Sequence, residues 1–143
     1  MKEKTIDYVL RTTWLAVQKM YNEEASKFEA TMATAFTLLS IDPKRGTPST
    51  ALGPKMGMES TSLSRILKTL ETRELIKRSP NPDDGRGVLI HLTDLGLIKR
   101  EESRQRVFTF NNKVKNEIDL EKLNHFYDVS DTILELINDK KIF

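Results

Sequence analysis

The 143-residue chain contains no cysteine, which excludes disulfides, thiolate metal sites and cysteine-based redox sensing. It has no run near the roughly 18 apolar residues that a membrane span needs, and its N-terminus lacks the uninterrupted apolar stretch of a secretory signal. Apolar residues make up 38% of the chain and charged residues 31%, as in a soluble protein. We therefore expect one cytoplasmic domain with a real core and no membrane partner.

Patterns for catalysis and metal binding are also missing. The sequence has no Gly-rich phosphate loop, no Ser–His–Asp spacing and no HExxH motif. Its two histidines, His91 and His125, are far apart and no cysteine accompanies them, so they make a poor metal site. We expect neither an enzyme nor a bound cofactor.

Positive charge is concentrated in the middle of the sequence. The formal net charge is only +2, yet residues 44–78 hold eight Lys or Arg against three acids and carry +5 on their own. The segments on either side are each close to neutral. A basic centre between near-neutral arms is typical of polyanion binding, and nucleic acid is the usual polyanion.

Residues 59–74 predict an amphipathic helix within this basic segment. At about 100° per residue, the side chains of Leu63, Leu67 and Leu70 point in nearly one direction, together with Ile66. The opposite face is small, hydroxylated and basic, and consists of Thr61, Ser62, Ser64, Arg65, Lys68, Thr69 and Thr72. Such a helix can offer its polar face to phosphates and base edges, although an ordinary surface helix has the same pattern.

A shorter helix is expected to precede it. Thr47 and Pro48 suit a helix start, with Thr as the cap and Pro at the first helical position. The helix should end near Gly57, and Pro54 predicts that it is short or bent. Its inner side is expected to consist of Ala51, Leu52 and Met56. Two helices joined by a tight turn, the second polar and basic outward, are typical of a helix-turn-helix.

A β-hairpin is expected after the second helix. Residues 75–79 and 88–92 predict strands, and the sequence NPDDGRG at 81–87 is a concentrated turn signal. A hairpin with a charged tip directly after a helix-turn-helix is a wing.

Three long helices and one shorter helix, at 31–41, are expected on the two sides of this centre. Apolar periodicity predicts helices at 4–28, 31–41, 93–117 and 119–139, the last capped by Asp119 or Asn116. The middle of the third, residues 99–106, is polar all round and should bridge two packed regions. The apolar faces of the outer helices exceed what one small core needs, so we infer dimerisation.

The sequence resembles the MarR family of bacterial winged-helix regulators over residues 51–96. SLSRILKTLETRELI resembles the family's Thr/Ser-x-x-Arg helix that ends in Leu-Ile or Leu-Val. DGRGVLIHLTDLG resembles the family's wing motif, an Asp and an Arg two apart, followed by a strand and Leu-Thr-x-x-Gly. In this chain the pair is Asp84 and Arg86.

The resemblance implies a mainly α fold with a small β-hairpin wing (α+β). It implies a single domain, 1–143, with a winged helix-turn-helix at 31–96 and helical dimerisation regions at 1–30 and 97–143. It also implies an obligate homodimer in which the first and last helices of both copies interlock. Each copy would lay one recognition helix in a major groove and one wing tip over a minor groove.

Individual roles follow from position. The first turns of the recognition helix usually meet bases, where Arg65 reads guanine or clamps a phosphate. Ser60 and Thr61 either contact DNA or only cap the helix. Arg86 would enter a minor groove, oriented by an ion pair with Asp84. Phosphate contacts are expected from Lys68, Thr69 and Lys55. The predicted DNA-binding residues are Ser60, Thr61, Ser62, Ser64, Arg65, Lys68, Thr69, Lys55, Asp84 and Arg86.

The expected function is that of a homodimeric transcription regulator, a repressor, bound to a pseudo-palindromic double-stranded DNA operator with half-sites about one turn, roughly 10 bp, apart. A winged-helix module that binds protein and not DNA is the alternative, and it would explain a wing with one cation. The resemblance further implies release by a small, often aromatic effector, for which Tyr8, Trp14 and Phe36 are candidate contacts. The sequence leaves open the operator, the regulated genes, repression versus activation, and the effector.

Overall fold

The structure, a computed structural model, describes residues 4–143, so the first three residues of the predicted N-terminal dimerisation region lie outside the described residues. Contacts divide the chain into two compact units, the first ending at Gln105 and the second comprising Arg106–Phe143. In chain order the elements are α1 (Ile6–Ser26), α2 (Met32–Ser40), β1 (Thr47–Pro48), α3 (Ser49–Met56), α4 (Ser60–Thr72), β2 (Ile76–Asn81), β3 (Asp84–Leu92), α5 (Asp94–Glu117) and α6 (Leu120–Asn138).

The first unit is organised around one apolar core. Leu63, Leu67 and Leu70 of α4 are buried in it, and Ile66 packs against its edge. The other buried members of the core are Leu38, Ile41, Leu52, Leu75, Ile76 and Ile90. The predicted apolar face of α4 is therefore confirmed, and the burial of this face directs the opposite side of the helix to solvent.

The wing belongs to a three-stranded antiparallel sheet with the order β1-β3-β2. The sequence predicted two of these strands but placed Thr47 and Pro48 at a helix start, which is wrong. Thr47 pairs with Ile90 across the sheet, and its hydroxyl oxygen accepts the N–H of Asp42 at 2.8 Å. Strand pairing with residues more than 40 positions away outweighed the local capping pattern.

A tight turn before β1 is fixed by Asp42. Its carboxylate accepts the backbone N–H groups of Arg45 and Lys44, and these hydrogen bonds, with Arg45 first, hold the pKa of Asp42 below its ordinary value. Gly46 completes the turn with φ of +74°, a left-handed conformation that glycine adopts without strain.

The helix α3 is eight residues long and ends at Met56, with Gly57 as its C-cap, which agrees with the predicted end near Gly57. Gly57 has φ of +62°, the left-handed conformation of a helix C-terminus. The predicted inner side is wrong at Ala51, which is exposed, whereas Gly53 is buried. A Cβ at Gly53 would lie 3.1 Å from the Met58 carbonyl oxygen, so glycine allows the two helices of the motif to approach closely.

The start of α5 is anchored to the end of α4. The Thr93 hydroxyl donates to the Glu74 carbonyl oxygen at 2.6 Å and accepts the N–H of Gly96 at 3.0 Å. Gly96 is buried against Leu75, where any Cβ would overlap the Leu75 carbonyl oxygen. The Thr and Gly of the Leu-Thr-x-x-Gly sequence therefore fix the first turn of α5 against the residues that follow α4.

The second unit contains the end of α5 and all of α6. Within it α6 buries Leu123 but leaves Phe126 and Tyr127 exposed, their ring centroids 5.7 Å apart. Asp119 occupies the N-cap position of α6, as predicted, but its side chain makes no capping hydrogen bond. In residues 4–143 we find no helix with the length and apolar character required to span a bilayer.

Candidate nucleic-acid interface

The polar face of α4 is open to solvent along its whole length. Two of its hydroxyls bond to the backbone of their own helix: Ser64 donates to the Ser60 carbonyl oxygen at 2.8 Å and Thr69 donates to that of Arg65 at 3.0 Å. The exposed side chains on this face are Ser60, Thr61, Ser62, Ser64, Arg65, Lys68, Thr69 and Thr72. The structure thus brings eight polar or basic residues onto one continuous surface.

The first turn of α4 has no side-chain cap. Glu59 occupies the N-cap position without making a capping hydrogen bond, so neither Ser60 nor Thr61 caps the helix. The alternative that these two hydroxyls serve only as caps is therefore wrong. Their hydroxyl groups, at the start of the helix, remain accessible to a ligand.

The basic residues of the segment 44–78 differ in whether they already have a partner in the protein. Arg65 and Lys68 on α4 make no side-chain hydrogen bond or ion pair with any residue in 4–143. In contrast, Arg78 bonds to Glu71 at 3.1 Å, and Arg73 lies 3.6 Å from Glu29. The cations of α4 are thus available to an external anion, while these two arginines already have acidic neighbours.

Lys55 has a structural contact that the sequence did not reveal. Its ammonium group donates to the Ser40 carbonyl oxygen at 2.8 Å, joining α3 to the end of α2. Its predicted phosphate contact stays a prediction, because an exposed lysine can exchange one partner for another.

The wing tip differs from expectation in the role of one carboxylate. The predicted ion pair between Asp84 and Arg86 is absent among the described residues; instead Asp84 Oδ1 accepts the backbone N–H of Arg86 at 3.0 Å. Both side chains are exposed. The carboxylate therefore holds the main chain of Arg86, and its guanidinium is left without a protein partner in residues 4–143.

Two functional features were missed by the sequence reasoning. The ion pair between Glu71 and Arg78 joins α4 to β2. The two residues are seven positions apart on either side of a turn, and no sequence pattern predicts a contact at that spacing. Lys77 is an exposed cation on the wing strand. Strand alternation with the buried Ile76 could have placed Lys77 on the outer face of the sheet.

The candidate effector contacts are distributed over the first unit. Tyr8 and Trp14 of α1 are about half exposed, at 49% and 51%. Phe36 packs edge-on against Tyr21, with ring centroids 5.5 Å apart. An open cavity of about 460 Å³ lies between α3 and α4, and none of the three candidates lines it.

His91 bonds to Ser79 at 3.0 Å. Residues 4–143 contain no group of three or more His, Cys, Asp or Glu placed to hold a metal ion.

Similarity to known proteins agrees with this geometry. The sequence model of the MarR family matches residues 30–88. The HTH-type transcriptional regulator SarZ of Staphylococcus saprophyticus is 24% identical over 136 residues, which cover 95% of this chain and 90% of SarZ. The crystal structure of the S. aureus MepR–DNA complex superposes with a TM-score of 0.84 at 19% identity, covering 93% of this chain and 98% of MepR.

A second solved structure has the same fold. PcaV of Streptomyces coelicolor, in complex with its natural ligand, has a TM-score of 0.78 at 20% identity and covers 94% of this chain and 98% of PcaV. At such identities the two structures show the fold alone. The predicted fold class, mainly helical with a small wing sheet, is confirmed.

A helix-turn-helix with a cation-bearing outer face, followed by a protruding hairpin, defines a winged-helix DNA-binding protein. Residues 30–88, which contain the helix-turn-helix and most of the wing, match the MarR family of transcription regulators, so the resemblance predicted from the sequence is confirmed. Members of this family bind DNA, so the chain is a DNA-binding transcription regulator and not an enzyme. No finding favours the alternative of a protein-binding module that does not bind DNA.

Proposed function

We propose that two copies of this chain form a cytoplasmic homodimer that binds a pseudo-palindromic operator and represses transcription. The observation that carries the proposal is the open polar face of α4, whose two cations, Arg65 and Lys68, have no partner in the described residues of the chain. A cationic, hydroxyl-rich helix face of this size suits the major groove and its flanking phosphates. A dimer seated on a promoter would exclude the polymerase from it.

Dimerisation is supported by apolar side chains that lie exposed on the outer helices. On α1 these include Leu10 and Leu15, and on α6 they include Phe126 and Leu134, which are 57% and 56% exposed. Large apolar patches on a soluble protein mark interaction surfaces, and MarR-family proteins function as dimers. We propose that α1 and α6 of one copy pair with those of the other, so that residues 1–30 and 97–143 serve dimerisation and residues 31–96 bind DNA.

The division of contacts on DNA follows from position along α4 and the wing. Ser60, Thr61 and Ser62 precede Arg65 in the first turns, the region of a recognition helix that reads bases. Lys68 lies one turn further along, where the phosphate backbone is the nearer target. Thr69 beside it can donate to a phosphate oxygen once its hydroxyl leaves the Arg65 carbonyl oxygen. Asp84 and Arg86 would place the wing tip over the adjacent minor groove.

An effector is included in the proposal. PcaV was solved in complex with its natural ligand, and this chain shares the PcaV fold. We propose that a small aromatic molecule binds the first unit beside α1, α2 and the start of α5, near Tyr8, Trp14 and Phe36. If the molecule binds more tightly to a dimer in which the two α4 helices do not fit successive major grooves, it would shift the dimer to that arrangement and release the operator.

Selection of bound duplexes from a random DNA library tests the function directly. We expect enrichment of a two-fold symmetric site with half-site centres about one helical turn, roughly 10 bp, apart. We also expect affinity to fall steeply with salt, because phosphate contacts release counterions. Failure to bind any duplex at low salt would overturn the proposed function, and enrichment of a single asymmetric half-site would overturn the dimer.

Placing a charge on either outer helix tests the pairing. We expect Leu10→Asp and Phe126→Asp each to raise the dimer dissociation constant at least about tenfold, because an unpaired carboxylate would be buried in the interface. Sedimentation equilibrium measures this, and His125→Asp, the neighbouring exposed position on α6, is the matched control. Two fully dimeric variants would show that these helices do not form the interface.

A further inference from the structure

The backbone of Arg86 lies outside the regular strand ladder. The register between β2 and β3 shifts at Pro80 and Asn81, so residues 85–87 have no partner on β2. Glycine occupies positions 85 and 87, on both sides of the arginine, and glycine restricts the backbone less than any other residue. Strand pairing and local stiffness therefore do not determine where Arg86 points.

The Asp84 carboxylate supplies a restraint in this irregular stretch. Its Oδ1 accepts the backbone N–H of Arg86 at 3.0 Å, which closes an Asx turn. Its other oxygen lies against Gly87, where a Cβ would be 3.2 Å from Oδ2. One side chain thus bonds to the main chain at Arg86 and occupies the space beside the residue that follows it.

Asn81 repeats the arrangement three residues earlier. Its Oδ1 accepts the backbone N–H of Asp83 at 3.0 Å, and its Cβ lies 3.4 Å from the position that a Cβ at Gly87 would take. The wing tip is therefore built from two consecutive Asx turns, at residues 81–83 and 84–86. In both turns the side-chain oxygen accepts the backbone N–H of the residue two positions later.

We propose that Asp84 positions Arg86 as a hydrogen-bond acceptor to its backbone and not as a counter-ion to its guanidinium, with Asn81 as a second positioning residue. Operator binding by the wing then does not depend on the negative charge of Asp84, but it does depend on a side-chain oxygen that accepts the Arg86 N–H. The guanidinium can therefore enter the minor groove without first breaking an internal ion pair. This inference rests on the proposed role of the wing in operator binding.

Two neutral substitutions separate the acceptor from the charge. In Asp84→Asn the side-chain oxygen can still accept the Arg86 N–H, whereas in Asp84→Ala it cannot. We expect the Asn variant to bind the selected operator within about twofold of the parent or more tightly, because a negative charge near phosphates is removed. We expect the Ala variant to bind about fivefold more weakly than the Asn variant, the equivalent of one lost hydrogen bond.

Equal binding by the two variants would overturn the inference. If both bind more weakly than the parent, the charge of Asp84 is what acts on Arg86, and if both bind as tightly as the parent, Asp84 does not position the wing. Asn81→Asp and Asn81→Ala form a second matched pair. They are compared by amide hydrogen exchange at Asp83, because the Asp variant adds a negative charge near the phosphates, and only the Ala variant is expected to exchange faster. Circular dichroism at equal protein concentration checks that all four variants remain folded.

A measurement without DNA separates this inference from the proposed function. Amide hydrogen exchange at Arg86 in the free protein should accelerate at least about threefold in Asp84→Ala and stay near the parent rate in Asp84→Asn, because one backbone hydrogen bond is lost in the first variant only. Operator affinity of Arg86→Ala tests the proposed wing contact itself. If it leaves operator affinity unchanged, the proposed wing contact fails, yet the exchange rates still decide the role of Asp84. Unchanged exchange in Asp84→Ala would contradict the inference even if Arg86 binds DNA.

Discussion

Replacing Gly96 by alanine is expected to lower the free energy of unfolding by about 3 kcal/mol or more, at the upper end of overpacking effects. The added methyl group would overlap the Leu75 carbonyl oxygen and lie 3.4 Å from a methyl carbon of Leu92. A backbone oxygen cannot swing aside as a flexible side chain can, so the start of α5 would have to move away from the end of α4. Thermal denaturation should show a fall in Tm of about 10 °C, compared at equal protein concentration.

Gly85→Ala is the matched control for this experiment. It adds the same methyl group to another glycine of the same unit, but a Cβ at Gly85 has no neighbour within 4 Å. We expect its Tm to stay within about 2 °C of the parent, as for most surface substitutions. If the two variants were equally stable, the tight contact between Gly96 and Leu75 would not constrain the native fold.

Arg65→Ala is expected to weaken operator binding by about 1–3 kcal/mol, the range of one bidentate arginine–guanine contact. Arg65 is exposed in the second turn of α4, on the same face as Ser62, and has no acidic partner in residues 4–143. We propose that it reads a base, so its loss should also relax the sequence preference at one position in each half-site. Binding to the selected operator and to single-base variants, measured at one salt concentration, provides both quantities.

Lys68→Ala on the same helix face is the comparison for Arg65. A lysine that contacts only phosphate contributes equally on every sequence, so this variant should lose affinity uniformly and reduce the salt slope by about one. A uniform loss in Arg65→Ala as well, with no change in base preference, would assign Arg65 to the phosphate backbone.

Local patterns predicted most of the elements because their causes are local. The heptad-like spacing of Leu63, Leu67 and Leu70 indicated the buried face of α4, and Gly57 indicated the end of α3. In each case the sequence pattern that indicates the feature lies within one helix or one turn. The resemblance to the MarR family added the winged topology, which the comparisons with known proteins confirmed.

The features that were missed depend on residues distant in the sequence. Thr47 joins a sheet because Ile90 is there to pair with it, and Lys55 bonds to a carbonyl oxygen 15 positions away. The role of Asp84 was missed for another reason. A carboxylate two residues from an arginine can bond to its side chain or to its backbone, and only the geometry of the turn distinguishes the two.

The hydroxyls of α4 have a consequence for which bases they can favour. Ser64 and Thr69 use their hydrogens on carbonyl oxygens of their own helix, so while these bonds are kept they present only lone pairs to the groove. In the major groove the amino groups of adenine and cytosine are the partners for a lone pair, whereas the oxygens of guanine and thymine are not. An operator selected by this surface should therefore place adenine or cytosine opposite Ser64 or Thr69 where either hydroxyl contacts a base. Arg65, which only donates, would favour guanine.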